Sequence, residues 1–151
     1  LGNPAVSQSN HRLEGLREAV SGTSATVTTI EVPHLVTEDG LHAGEQIIAM
    51  PAAERPDAVF AANDIETNGV HTQLLRHGIR VPEEIALVGF DDVAQAHQSV
   101  VPLTSVRQPG YEIGRAAGAA LLQQLADPSA PPPATTPFPA ELIVRESTVG
   151  R

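Results

Sequence analysis

Residues 55–92, RPDAVFAANDIETNGVHTQLLRHGIRVPEEIALVGFDD, decide how this chain folds. The apolar run Ala58-Val59-Phe60-Ala61-Ala62 stops at a polar pair, Asn63-Asp64. A helix-length segment follows and closes at Gly78, and a second apolar run, residues 85–90, ends at Asp91-Asp92. Both runs are continuous rather than alternating, as in strands buried on both faces of a parallel sheet. The connection is long enough for a crossover helix, so the stretch reads as one βαβ unit. Parallel strands bring both polar pairs to the same carboxyl edge, where open α/β sheets bind small ligands. The expected fold is therefore α/β, a mostly parallel sheet flanked by helices.

The polar pairs have two readings. Asn63 suits a helix N-cap, with Glu66 three residues on as in a capping box, and Asp91 or Asp92 suits the cap of a short helix over 93–97. Alternatively the same residues face a ligand. The readings are compatible, because a cap at a strand's carboxyl end already borders the crevice.

Upstream, Ser9 is placed to cap a helix over 9–20 whose Leu13, Leu16 and Val20 form a buried stripe. Residues 25–32, rich in Thr, Val and Ile, read as a strand stopped by Pro33. A helix begins at Thr37-Glu38-Asp39, with acids in its first turn, and ends before Pro51; Leu41, Gly44 and Ile48 mark its inner face. Downstream, 93–99 is a short helix or turn and 103–106 an extended piece. The clearest amphipathic helix is 111–126, with Ile113, Ala117, Ala120, Leu121 and Leu125 on one side. Its Gly114 and Gly118 suggest a close neighbour. Residues 130–139, with Pro131-Pro132-Pro133, form an extended loop, and 141–144 the last strand.

The 151 residues suit one domain with a core, and at 41% apolar but 3% aromatic that core must be aliphatic. Lys+Arg 9 against Asp+Glu 18 gives a net charge of −9, so no basic patch exists for phosphate backbones and this chain alone is expected not to bind DNA. Cysteine is absent, so disulfide and thiolate chemistry are excluded. No apolar run approaches membrane-spanning length, and the start LGNPAVSQSN has no signal-peptide pattern; Leu1-Gly2-Asn3-Pro4 reads as the trimmed end of a strand.

Other chemistry finds no support. There is no phosphate-cradling glycine loop and no Gly-x-Ser-x-Gly. The six histidines show no pair at ligand spacing with a carboxylate, so neither a metal nor another cofactor is expected. Asp91 and Asp92 are adjacent, and their side chains diverge too far for a general acid/base pair. The chain does not read as an enzyme.

FAAND, GIRVPEEIALVGFDD, VPLTSVRQP and ELIVREST, in that order, resemble the lactose-repressor/galactose-repressor (LacI/GalR) family of transcription regulators. The resemblance covers the C-terminal part of the family's effector-binding, periplasmic-binding-protein-like domain. It implies that 1–107 belong to the C-terminal lobe, 108–139 to a helix and loop of the other lobe, and 140–151 to a terminal strand and tail. It implies a cytoplasmic regulator with a sugar-like or nucleoside-like effector in an interlobe cleft, and contact with operator DNA only through a headpiece outside this chain. Arg12, in Arg12-Leu13-Glu14-Gly15, would anchor the effector with Asn63, Asp91 and Gln108. Gln108 is equally open to pairing with hinge backbone, and Arg12 to lying solvated on its helix. Many relatives carry an aromatic that stacks on a sugar ring near residues 34 and 35; here His34 and Leu35 stand there instead. The resemblance further implies a homodimer through helix 65–77 and segment 93–101, with Ile65, Val70, Val93 and Ala94 at the contact. The alternative reading is a periplasmic or extracellular sugar-binding protein of a transport system.

Overall fold

A computed structural model describes residues 2–131 and 137–150. The βαβ unit forms where its pattern places it: β1 (Ala58–Phe60), α3 (Asp64–Arg76) and β2 (Ala86–Asp91), with β1 parallel to β2 in the register Ala58–Ala86, Phe60–Val88. However, β1 is exposed at Ala58 and only half-buried at Val59 and Phe60 rather than buried on both faces. Ahead of it lie α1 (Ser7–Val20) and α2 (Thr37–Ala49). Behind it come α4 (Ala94–Gln98), β3 (Thr104–Arg107), α5 (Gly110–Ala126) and β4 (Glu141–Ile143). The sheet order is β1-β2-β3-β4; β3 is parallel to β2, and β4 runs antiparallel to β3, pairing Arg107 with Glu141. It is a mixed sheet flanked by helices, and the carboxyl ends of the parallel strands β1, β2 and β3 share one edge.

The core is aliphatic, as the composition requires. Ile47 of α2, Val70 and Leu74 of α3, Ile85, Leu87 and Leu103 pack together at 5% exposure or less. At the α2–α3 crossing the backbones nearly touch. A Cβ on Gly40 would collide with the Glu66 carbonyl, and one on Gly69 with the Thr37 carbonyl and, at 2.7 Å, the Leu41 amide.

Several expectations need correction. Residues 25–32 form no strand; one isolated parallel bridge links Gly2 to Glu31, with hydrogen bonds from Gly2 N to Ile30 O and from Val32 N to Gly2 O at 3.4 and 3.1 Å. A strand needs a partner for its amides. Between residues 25–31 and β1 lies an open groove of about 1390 Å³ instead of a neighbouring strand. Helix α1 starts at Ser7 with Val6 as an N-cap lacking a side-chain bond, so Ser9 falls inside the first turn and its Oγ is buried with no hydrogen-bond partner among the described residues. Leu13, Leu16 and Val20 lie on one side as expected but are half-buried rather than buried. The inner face of α2 centres on Gly40, Ala43, Gly44 and Ile47, leaving Leu41 and Ile48 half-buried at its margins.

Helix α5 forms where its period predicts, yet none of its residues is buried, and Tyr111, Leu121, Leu122 and Leu125 are 61–78% exposed. Nothing lies within 4 Å of a Cβ placed on Gly114 or Gly118, so the close neighbour suggested by their spacing is not among the described residues. In the proline-rich loop, residues 132–136, including Pro132 and Pro133, lie outside the described residues. No helix is long and apolar enough to cross a membrane, and no metal-binding cluster occurs among the described residues.

Candidate functional site

The edge where β1 and β2 end carries the polar residues, but they separate into different tasks. Asn63 caps α3: its Oδ1 accepts from Glu66 N at 2.8 Å, while its Nδ2 donates to Leu35 O at 3.0 Å and pins the loop before α2. The capping reading of Asn63 therefore holds. Asp64 turns under the sheet edge and is fully buried. Its Oδ1 accepts from Ser105 Oγ at 2.7 Å and its Oδ2 from Val93 N at 2.9 Å. Burial raises its pKa, with the charges of Asp91 and Asp92 adding to that, while the Ser105 and Val93 hydrogen bonds oppose it.

Capping by Asp91 or Asp92 does not occur. The N-cap of α4 is Val93, whose apolar side chain makes no cap bond, and its amide donates to Asp64 Oδ2. Asp91 and Asp92 instead hold positive φ, +99° and +54°, and their side chains diverge. Asp91 is exposed and accepts from Gln108 Nε2 at 2.8 Å. Gln108 thus pairs with a side chain rather than with hinge backbone. Asp92 turns back, its side chain 6% exposed between Arg107 and Arg145 at 2.7 and 2.6 Å. Burial works to raise the Asp92 pKa, but the hydrogen bonds from Arg145 and Arg107, and their charges, hold it below the usual range.

Arg12 is not a solvated helix arginine. Its guanidinium lies 3.6 Å over the Phe90 ring, and Nη1 donates to the carbonyl of Ala62. A cation on an aromatic face is held there by the ring quadrupole while its remaining donors stay available. Burial lowers the Arg12 pKa and the charges of Asp91 and then Glu66 counter it; an arginine remains charged throughout. Arg12, Asp91 and Gln108 thus share the carboxyl edge around Phe90, with Asn63 beside them committed to its cap. Of these four, only Arg12 lines the large groove beside β1, so that groove is separate from the Asp91 edge.

Sequence reasoning missed Asp64, Ser105, Phe90, Asp92, Arg107 and Arg145 as supports of this edge. The available signal was an acidic pair at a strand end with one arginine at the end of a later strand and another just beyond the last strand; nothing local says which pairs with which. Of the proposed dimer residues, Ala94 is exposed and Ile65 and Val93 are half-buried, whereas Val70 is fully buried in the core. That assignment of Val70 is corrected: the helical phase of α3 puts it on the same face as Leu74, toward the sheet.

A profile of the periplasmic binding protein-like domain matches residues 1–148. The chain is 34% identical over 118 residues to the HTH-type transcriptional repressor PurR of Vibrio cholerae serotype O1 (strain M66-2), covering 77% of this chain and 34% of that protein. It therefore spans about a third of the length of that curated relative. Among solved structures, a putative LacI-family transcriptional regulator from Sanguibacter keddieii DSM 10542 is 35% identical with a TM-score of 0.84, covering 92% of this chain and 53% of that one. A LacI-family regulator from Lactobacillus casei with bound sucrose is 29% identical with a TM-score of 0.79, covering 93% and 51%.

Proposed function

Because this chain belongs to the periplasmic binding protein-like domain family, as part of the effector-binding domain of a LacI/GalR-type regulator, we propose that it forms one wall of a cleft for a small polyhydroxylated effector. The observation that carries this reading is the placement of Arg12 on Phe90 at the same strand edge as the outward pair Asp91–Gln108. A carboxylate accepts from two hydroxyls, and a guanidinium and a side-chain amide donate in complementary directions, which suits a sugar or the ribose of a nucleoside. Asn63 contributes through the loop it holds more than by direct contact. The regulator reading is favoured over a transport protein by the relatives' own names: a repressor, and regulators solved with a sugar bound.

In this reading α5, with its apolar side chains uncovered, packs into a second lobe. Effector binding favours one arrangement of the lobes, and a headpiece elsewhere in the full cytoplasmic protein gains or loses its operator. The working unit is a homodimer through the outer faces of α3 and α4, with Ile65, Val93 and Ala94 at the contact. Sedimentation of the two-lobed protein is expected to show a dimer; a monomer at high concentration speaks against this surface.

The effector reading is tested by Asp91→Asn in a polypeptide containing both lobes. Thermal-shift screening with ribose, glucose, sucrose, cellobiose and nucleosides identifies the effector, and calorimetric titration then compares the two proteins. Losing a charge-assisted acceptor costs about 1.5–3 kcal/mol, one to two decades in affinity. Asp91 is exposed, so the melting temperature should barely move. Unchanged affinity would remove Asp91 from the site.

A further inference from the structure

Two consecutive residues with positive φ, neither of them glycine, hold a conformation that their surroundings must enforce. The backbone amides of the turn are held from below: Asp92 N donates to Ser105 Oγ at 3.0 Å and Val93 N to Asp64 Oδ2 at 2.9 Å. These bonds set where the chain leaves β2, but they do not reach Asp91. What lies on the other side is the Asp92 carboxylate. Its Oδ2 accepts from Arg107 Nε at 2.7 Å and its Oδ1 from Arg145 Nη2 at 2.6 Å. Arg145 is itself well covered, and its Nη1 donates to Leu103 O at 2.7 Å, so it braces the turn against the start of β3. Arg107 is the register partner of Asp91 and directly precedes Gln108, whose amide donates to Asp91.

We propose that Asp92, through Arg145 and Arg107, is a positioning residue for the effector site: its two ion pairs hold the left-handed turn that faces Asp91 outward and seat Gln108 against it. The same carboxylate joins the strand leading out to α5 to the tail that follows β4, so the posture of Asp91 is tied to both segments by which the chain leaves and re-enters this lobe. The inference rests on Asp91 being an effector ligand.

The test uses the 151-residue chain and needs no effector. Asp92→Asn keeps the side chain's size and its tolerance of positive φ, and removes only the charge. Two NMR signals report the proposed role: the amide–Hα coupling of Asp91, which follows its φ, and the side-chain NH2 pair of Gln108. In Asp92→Asn the Asp91 coupling should move toward that of extended backbone. The Gln108 pair should move to the position of solvent-exposed amides, while the methyl signals of Leu87 and Val70 stay native. Arg107→Gln, at a side chain 49% exposed, removes the pair with Asp92 together with a looser, exposed pair to Glu141 at 3.7 Å, and should shift the Gln108 signals in the same direction. If Asp92→Asn fails to fold, Arg107→Gln alone decides. Native Asp91 and Gln108 signals in a folded variant overturn the proposal. Such a result would leave the effector reading intact, whereas unchanged effector affinity in Asp91→Asn would overturn that reading and leave the clamp standing.

Discussion

Gly69→Ala is expected to destabilise the chain by about 3 kcal/mol or more, at the upper end of what overpacking costs. The added methyl would meet the Thr37 carbonyl, the Leu41 amide at 2.7 Å and the Gly40 carbonyl carbon at 2.8 Å, all backbone of α2. Backbone cannot rotate aside as a flexible side chain can, so relief requires α2 and α3 to separate. Separation would open the contact that buries Ala43, Ile47, Val70 and Leu74. For a domain whose total stability is roughly 5–15 kcal/mol, this is a large share. The control is Gly114→Ala in α5, where a Cβ meets nothing within 4 Å; there the better helix propensity of alanine should be neutral or stabilising by up to about 1 kcal/mol. Denaturant midpoints of the two variants should move in opposite directions or not at all for Gly114→Ala. Equal losses would mean that the close α2–α3 crossing is not where the sensitivity lies.

Glu66→Gln is expected to stabilise the chain above neutral pH and to flatten its stability between pH 4.5 and 7. Glu66 is fully buried at the head of α3, and neither carboxylate oxygen has a hydrogen-bond partner among the described residues. Burial pushes its pKa up to about 7; the Asn63 and Ala62 amides, which it faces as a capping-box glutamate does, pull it down, and the Asp39 charge raises it further. The folded chain therefore holds this proton in a range where the unfolded chain, titrating near 4.5, has lost it. Because the folded state binds more protons there, stability falls as pH rises from about 4.5 to 7 and levels off above. The contribution is on the order of 1–3 kcal/mol, discounted for solvent screening. Asp92 acts with opposite sign, its stabilisation being lost as pH falls through its depressed pKa. Comparing Glu66→Gln with the parent across pH 4 to 8 isolates the Glu66 component, since glutamine cannot titrate. Parallel stability curves would show that Glu66 is ionised and solvated in the folded chain.

What the sequence determined by itself was whatever depends on local period and on direction along the chain. Two continuous apolar runs with a helix-length crossover could only be parallel neighbours. From that alone came β1, α3 and β2, their shared carboxyl edge and the Asn63 cap. Helix α5, α4 and the short β3 and β4 were legible for the same reason, each bounded by its own glycine, proline or polar residues. The tertiary structure decided everything that depends on which distant residue arrives next to which. Residues 25–32 have strand composition but, among the described residues, pair only with Gly2, because a strand is made by its neighbour and not by its own propensity. Gly89 looks like any small residue in a buried strand, yet it leaves the space that the Asp64 carboxylate occupies. Asp91 and Asp92 are chemically identical neighbours, and only the arrival of Arg107 and Gln108 at the end of β3 and of Arg145 beyond β4 gives one an exposed edge and the other a buried ion pair. Charge pairing and close packing act through space over a few ångströms, and sequence separation carries no record of that distance.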